Sequence, residues 1–163
     1  MRRNAMLIAS LLAVLAQAVG PTAGRAAEGD AEAVRAFYDR VLSAAASPDL
    51  AQRAAAILAP DWRSFGNNDT SVDAATFVRN VHGVGQIIPN LHWEVVEMTA
   101  AGDRYVVRGR ATGTPAQQFM GVAPNGHSFD IMSIDIHTVR DGRIVQSYHV
   151  EDWAGAVRQL RAP

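Results

Sequence analysis

The sequence contains neither cysteine nor lysine among its 163 residues. Without cysteine the chain can form no disulfide and has no thiolate nucleophile or thiolate metal ligand. All 15 basic residues are arginine, so catalysis through a Schiff-base lysine is excluded. Histidines, carboxylates and hydroxyl groups therefore remain as the groups that could carry chemistry.

Charge of one sign is not concentrated anywhere along the chain. The formal net charge is −1, and acidic and basic residues are dispersed. Nucleic acids and anionic membrane surfaces require a basic patch, so we expect neither as a partner of this protein. The sequence also has no internal repeat and no linker composition, which predicts a single domain.

Long hydrophobic runs are limited to one, Ala5–Leu15, near the start of the chain. It follows two arginines and precedes small residues, which is the order of a secretory signal peptide. The run is too short to cross a membrane, which takes roughly 20 residues. We predict a signal peptide over residues 1–27, because Glu28 begins the polar run before a helix. The mature protein would then be secreted or periplasmic, with no membrane attachment.

The remaining residues, 28–163, change from helical to strand periodicity along the chain. Helices are predicted at about 30–45, 50–58 and 73–87. Strands are predicted at 91–99, 104–113, 119–122, 129–139 and 143–150, followed by a short helix at 154–160. Helices grouped before an antiparallel meander predict an α+β fold. A strongly bent sheet around the N-terminal helix would leave a cavity open at one end.

The stretch GVAPNGHSFDIMSIDIHTVRDGRIVQSYHVEDWAGAVRQL carries a family resemblance. It has a Gly-x-x-Pro-x-Gly turn, a long strand, an Asp-Gly-Arg-Ile hairpin and a Gln-Leu helix end. The chain thereby resembles, over roughly residues 30–161, the SnoaL-like polyketide cyclases, or ester cyclases, of the nuclear transport factor 2-like superfamily. The resemblance implies a cone-shaped α+β fold, with N-terminal helices packed on a strongly curved antiparallel sheet. It also implies aldol-type cyclisation without a cofactor.

The same resemblance points to three site residues. In the cyclases a catalytic aspartate lies eight positions after the hairpin aspartate, and this chain has His149 there. Family pocket positions on the preceding strand fall on Ser133 and Asp135. We predict that His149 is the principal acid/base, that Asp135 orients it, and that Ser133 supplies a hydrogen bond. The alternative is that His149 is a buried hydrogen-bonding residue without chemistry.

The hairpin register decides which of these side chains meet. A three-residue loop, residues 140–142, would place Ser133 opposite His149 and make Asp135 its diagonal neighbour. A two-residue loop would instead place His149 opposite Ile134 and turn it to the other face. We favour the longer loop, from the position of its glycine and from the family pattern. A carboxylate beside His149 would raise the pKa of its imidazole.

Other polar residues are assigned ordinary roles. Glu151 and Asp152 are predicted to cap the last helix. His137 and His149 have no third ligand at a suitable spacing, so we expect no metal site. The sequence has no glycine-rich phosphate loop, and we expect no cofactor. The predicted substrate-binding residues are those that could line a hydrophobic cavity beside His149, namely Trp62, Phe65, Trp93, Phe129, Ile131 and Ser147.

These features favour an exported, cofactor-independent enzyme that acts on a hydrophobic, carbonyl-bearing small molecule as a cyclase, isomerase, dehydratase or hydrolase. One alternative is a non-catalytic domain that binds a small apolar ligand or a protein partner. A purely structural dimer module is the other. We expect a homodimer in any case, because Met132, Ile134 and Ile136 make the second face of the sheet partly apolar.

Overall fold

The structure is a computed structural model that describes residues 22–162. It contains four α-helices. The first continues into a single π-helical turn, Tyr38–Leu42. The α-helices are α1 (Thr22–Phe37), α2 (Leu50–Ile57), α3 (Ala74–Ile87) and α4 (Trp153–Leu160). Apolar residues at helical spacing turn one face of α1 and of the π-helical turn toward the sheet, and Val34 and Val41 are fully buried on that face.

Six strands form one sheet in the spatial order β2-β1-β6-β5-β4-β3. The strands are β1 (Leu58–Phe65), β2 (Val72–Asp73), β3 (His92–Ala101), β4 (Arg104–Gly113), β5 (Phe129–Arg140) and β6 (Arg143–Glu151). Neighbouring strands are antiparallel, except that β1 runs parallel to β6. The predicted α+β fold, helices on a curved and mostly antiparallel sheet, is confirmed.

Two predicted segments need comment. The predicted strand at 119–122 is wrong, because Phe119 and Val122 form an isolated bridge around a tight turn at Met120 and Gly121. The predicted signal peptide lies outside the described residues up to residue 21, and its last part belongs to α1. No helix within residues 22–162 is long and apolar enough to cross a membrane.

The predicted register of the β5–β6 hairpin is wrong. Its turn has two residues, Asp141 and Gly142, both with positive φ (53° and 71°), and Arg140 pairs with Arg143. Positive φ at both central positions is the type I′ geometry that matches strand twist. A bulge at Val145 then adds one residue to β6. Asp135 therefore lies directly opposite His149, two residues away from the predicted pairing but on the predicted face.

Candidate active site

A cavity of about 390 Å³ lies between α3 and the inner face of the sheet. Its wall is mostly apolar, with Phe77, Val81 and Val84 from α3 and Trp93 from β3. Its polar lining comes from three side chains, Asn80, His149 and Glu151. An apolar pocket with a few convergent polar groups is the usual form of a small-molecule site.

His149 is held between two carboxylates. Its Nδ1 bonds to Asp135 Oδ1, and its Nε2 lies 2.8 Å from Glu151 Oε1. A carboxylate oxygen accepts and does not donate, so each ring nitrogen must carry a proton. The geometry therefore describes an imidazolium, with the Trp93 ring 6.1 Å away between centroids.

The charge state of His149 follows from competing effects on its pKa. Burial favours the neutral ring, but hydrogen bonds and charges from Asp135 and Glu151 outweigh it and raise the pKa of His149 to about 10. The cation is therefore the resting form near neutral pH. A resting cation can donate a proton, whereas it cannot accept one.

Asp135 is buried beneath His149 and receives further hydrogen bonds. The Tyr38 hydroxyl donates to its Oδ2 at 2.8 Å, and the Ser133 hydroxyl donates to the same oxygen at 3.1 Å. Burial alone would raise the pKa of Asp135, but the hydrogen bond and charge of His149 lead the effects that lower it below its ordinary value. Asp135 therefore remains ionised, although its side chain is 1 % exposed.

Two local backbone features make room for this arrangement. The π-helical turn begins at Tyr38 and places its buried hydroxyl at Asp135. Opposite Ser133, on β4, lies Gly109; a Cβ atom there would come within 2.5 Å of the Ser133 hydroxyl. Only glycine leaves that hydroxyl free to face Asp135.

A chain of buried hydrogen bonds supports Asp135 from behind. Tyr38 gives its proton to Asp135, so its oxygen accepts from His137 Nε2 at 3.1 Å. His137 Nδ1 then accepts from the Ser147 hydroxyl at 2.8 Å, whose oxygen accepts the Trp62 indole N–H at 3.1 Å. Every donor in the chain points toward Asp135, which fixes the tautomer of His137.

Burial keeps the rest of this chain uncharged. It lowers the pKa of His137 to about 4, against an opposing effect of the Asp135 charge. Burial and the nearby Asp135 raise the pKa of Tyr38 far above its ordinary value. Two histidines in one network thus differ in charge. His149 is a cation because it contacts two carboxylates, and His137 is neutral because it contacts none.

The three predicted catalytic residues lie together, in contact as described above. Of the predicted substrate-binding residues, Trp93 lines the cavity. Its indole N–H is buried and has no hydrogen-bond partner among the described residues. The backbone of Trp93 is fixed by the Ser43 hydroxyl, which bonds both its N–H and its carbonyl oxygen.

The other predicted substrate-binding residues lie elsewhere. Trp62 and Ser147 belong to the buried chain that ends at Asp135. Phe129 lies behind the cavity wall, where its ring stacks on Phe119 and meets Trp153 edge to face. Ile131 is a core residue. The assignment of Phe65 is corrected: alternation along β1 turns it to the outer face, where its ring packs on Tyr148.

Glu151 is the site residue that the sequence interpretation missed. It was predicted to cap α4, but the cap is Asp152 alone, which accepts from the Gly155 N–H at 2.7 Å. Glu151 instead bonds to His149 and accepts the Trp153 indole N–H. Its position two residues after His149, on the same strand face, was the available signal.

Metal binding has no support in the described part of the chain, where no group of three or more histidine or acidic side chains is arranged to hold an ion. Within the site, the two nitrogens of His149 are instead hydrogen-bonded to the carboxylates of Asp135 and Glu151.

Comparison with known proteins identifies the family of the chain. The model of the SnoaL-like polyketide cyclases matches residues 32–160. The chain belongs to the SnoaL-like polyketide cyclase family. The resemblance inferred from the C-terminal motifs is therefore confirmed, and family and fold together support a cyclase-like function that needs no cofactor.

Solved structures agree with the family assignment. IdmH from Streptomyces antibioticus, described as a candidate polyketide cyclase, is 25% identical with a TM-score of 0.71, over 82% of this chain and 99% of its own. A candidate SnoaL-like polyketide cyclase from Jannaschia sp. CCS1 shares the fold at 23% identity, TM-score 0.71, over 83% and 94%. AclR from Streptomyces galilaeus, described as a candidate hydroxylase, is 26% identical with a TM-score of 0.65, over 82% and 99%. None of the curated proteins compared with the chain matches it.

Proposed function

We propose that this SnoaL-like protein is a cofactor-independent enzyme that acts by general acid/base chemistry on a hydrophobic, carbonyl-bearing small molecule. One observation carries the proposal. His149, fixed by the buried Asp135, reaches an apolar cavity of small-molecule size. Removal of a proton next to a carbonyl creates an enolate, and a neighbouring imidazolium stabilises that negative charge.

The chemical roles follow from the charge states. His149 is the proton donor and faces the developing oxyanion, Asp135 holds the imidazolium in orientation, and Ser133 fixes Asp135. Aldol-type cyclisation, isomerisation, dehydration and hydrolysis all use such a donor.

The cavity also indicates the charge of the substrate. Among the side chains described, its lining includes no arginine, and its one cation lies between two carboxylates. A substrate with a free carboxylate would find no unpaired positive charge there. We therefore expect a neutral ketone, ester or phenol.

A non-catalytic binding protein is the second candidate. It is favoured by the fact that both nitrogens of His149 are already hydrogen-bonded within the protein.

Proton exchange distinguishes the two candidates. In D₂O, the full chain should accelerate deuterium incorporation next to the carbonyl of 1-tetralone, followed by NMR, and His149→Gln should reduce that rate by about 10²–10⁴-fold.

The control for that experiment is His92→Gln, an exposed histidine on β3 that does not line the cavity. It should retain the rate of the unaltered protein. Tight binding of the ketone without exchange would favour the binding protein, whereas exchange that survives His149→Gln would show that His149 is not the proton donor.

We further propose that the protein is exported, with residues 1–27 removed. The basis is the order of two arginines, apolar run and small residues at its start. Such a cut would leave in place the described core residues from Ala33 onward and the Asp30 carboxylate, which accepts the Gly142 N–H at 2.9 Å. N-terminal sequencing of exported protein should begin near Glu28.

We also propose that the protein forms a homodimer through the outer face of the sheet.

A further inference from the structure

Glu151 lies at the cavity surface with an unusual set of partners. His149 Nε2 donates to its Oε1 at 2.8 Å, and the Trp153 indole N–H donates to its Oε2. A carboxylate has about four lone-pair positions, two on each oxygen. Two of them are used by these donors, so each oxygen of Glu151 keeps one acceptor position.

The other groups of the site cannot accept a proton. Both nitrogens of His149 carry protons that point to carboxylates, so the ring has no free lone pair. Asp135 is 1 % exposed and already accepts from His149, Tyr38 and Ser133. Asn80, the remaining polar residue of the wall, has an amide that is not basic.

We infer that Glu151 is the catalytic base of this site and that His149 is its paired acid. The inference rests on the proposed function and assigns the group that takes the proton. The Glu151 carboxylate would remove the proton from the carbon next to the substrate carbonyl. The C–H bond breaks, an O–H bond forms on Glu151, and the electron pair moves to the carbonyl oxygen, facing the His149 imidazolium.

The surroundings of Glu151 are suited to that role. Its side chain is 14 % exposed, enough to meet a ligand, and the apolar wall around it excludes competing water. The titratable groups around it are His149, which it contacts, Tyr38 from the π-helical turn, and Asp135 on the far side of the His149 ring. The hydrogen bonds from His149 and Trp153 hold both oxygens in a fixed orientation.

A probe of base chemistry tests the assignment without the natural substrate. With 5-nitrobenzisoxazole, a base removes the proton on carbon, the ring N–O bond breaks, and a coloured cyanophenolate forms. We expect the full chain to catalyse this reaction at pH 7. Glu151→Gln, which keeps the side-chain size, should lower kcat/KM by about 10²–10³-fold. The control Glu97→Gln removes an exposed carboxylate on β3 and should leave the rate unchanged.

Two measurements keep the test decisive if Glu151→Gln folds poorly. The pH profile of the unaltered protein should be nearly flat from pH 7 to pH 9. If His149 were the base, the rate would rise about tenfold per pH unit toward its pKa of about 10, because only the neutral ring accepts a proton. Added formate should also restore activity to Glu151→Ala, since it supplies the missing carboxylate.

Failure of this inference differs from failure of the proposed function. If 6-nitrobenzotriazole, an unreactive analogue of the probe, binds but Glu151→Gln reacts as fast as the unaltered protein, Glu151 is not the base. A rate that rises steeply with pH overturns it as well. If the analogue does not bind at all, the cavity is not a ligand site, and both proposals fall.

Discussion

At the scale of single residues, the site is determined by which carboxylates each histidine touches. His149 bonds to Asp135 and Glu151 and is a cation, whereas His137 bonds to Ser147 and Tyr38 and is neutral. Burial favours the neutral form of both rings, so burial alone would leave both uncharged. The difference lies in specific hydrogen-bond partners, which sequence spacing reveals only in part.

NMR titration of the five histidines tests this difference directly. We expect the pKa of His149 near 10 and that of His137 near 4. Asp135→Asn should lower the pKa of His149, because it removes a charge and a charge-accepting hydrogen bond. Asp130→Asn, which removes an exposed carboxylate paired with Arg110, should leave it unchanged. A His149 that titrates like a free imidazole in the unaltered protein would contradict the described site.

The three catalytic residues that sequence reasoning predicted share one property: they alternate along two neighbouring strands. Asp135 and His149 could be placed on one face by counting in twos. Tyr38 could not, because it lies 97 residues before Asp135 and reaches it from a helix. Glu151 was visible in the pattern but was given to α4, since an acidic residue beside a helix start also predicts a cap.

At the scale of elements, the β5–β6 hairpin differs from the prediction in two ways that together leave His149 on the predicted face. The turn is one residue shorter than predicted, and the Val145 bulge adds one residue back. The face of His149 is therefore as predicted, although its partner across the hairpin is Asp135 instead of Ser133. A bulge has no reliable sequence signal in a strand of ordinary residues, so the register could not be obtained from the pattern.

Helix α3 forms one wall of the cavity, and a glycine sets its distance from the rest of the protein. A Cβ on Gly85 would come within 2.5 Å of the Ala45 and Ala46 backbone. Gly85→Ala should therefore push α3 outward and lower the free energy of unfolding by about 1–3 kcal/mol. Urea unfolding measures the loss.

Gly83 on the same helix is the matched control. It is exposed and has open space around its Cα, so Gly83→Ala should stabilise the protein by about 0.5–1 kcal/mol through helix propensity. Equal effects of the two substitutions would mean that α3 does not pack as closely as described.

At the scale of the whole molecule, the sheet has two unlike faces. Helices cover the inner face, while Met132, Tyr148 and Val150 remain exposed on the outer one, Val150 at 58 %. Neighbouring Ile134 and Ile136 extend this apolar surface across β5. Contiguous apolar surface of this kind commonly marks an interface, and a second copy of the same face is a symmetric solution.

Light scattering tests the proposed homodimer. The unaltered protein should have the mass of a dimer at micromolar concentration, and Val150→Arg should yield monomers, because it places a charge in the centre of the contact. Ala56→Arg, on the exposed side of α2, should remain dimeric. A monomeric unaltered protein would rule out this assembly.

The three tryptophans of the sequence all border the network around His149. Trp153 donates to Glu151, the Trp93 ring lies beside the imidazolium, and Trp62 begins the chain that ends at Asp135. Indole fluorescence is quenched by a protonated imidazole and shifts with local polarity. The intrinsic emission of this protein is thus a built-in optical reporter, which should change when a ligand displaces water from the cavity or when His149 loses its proton.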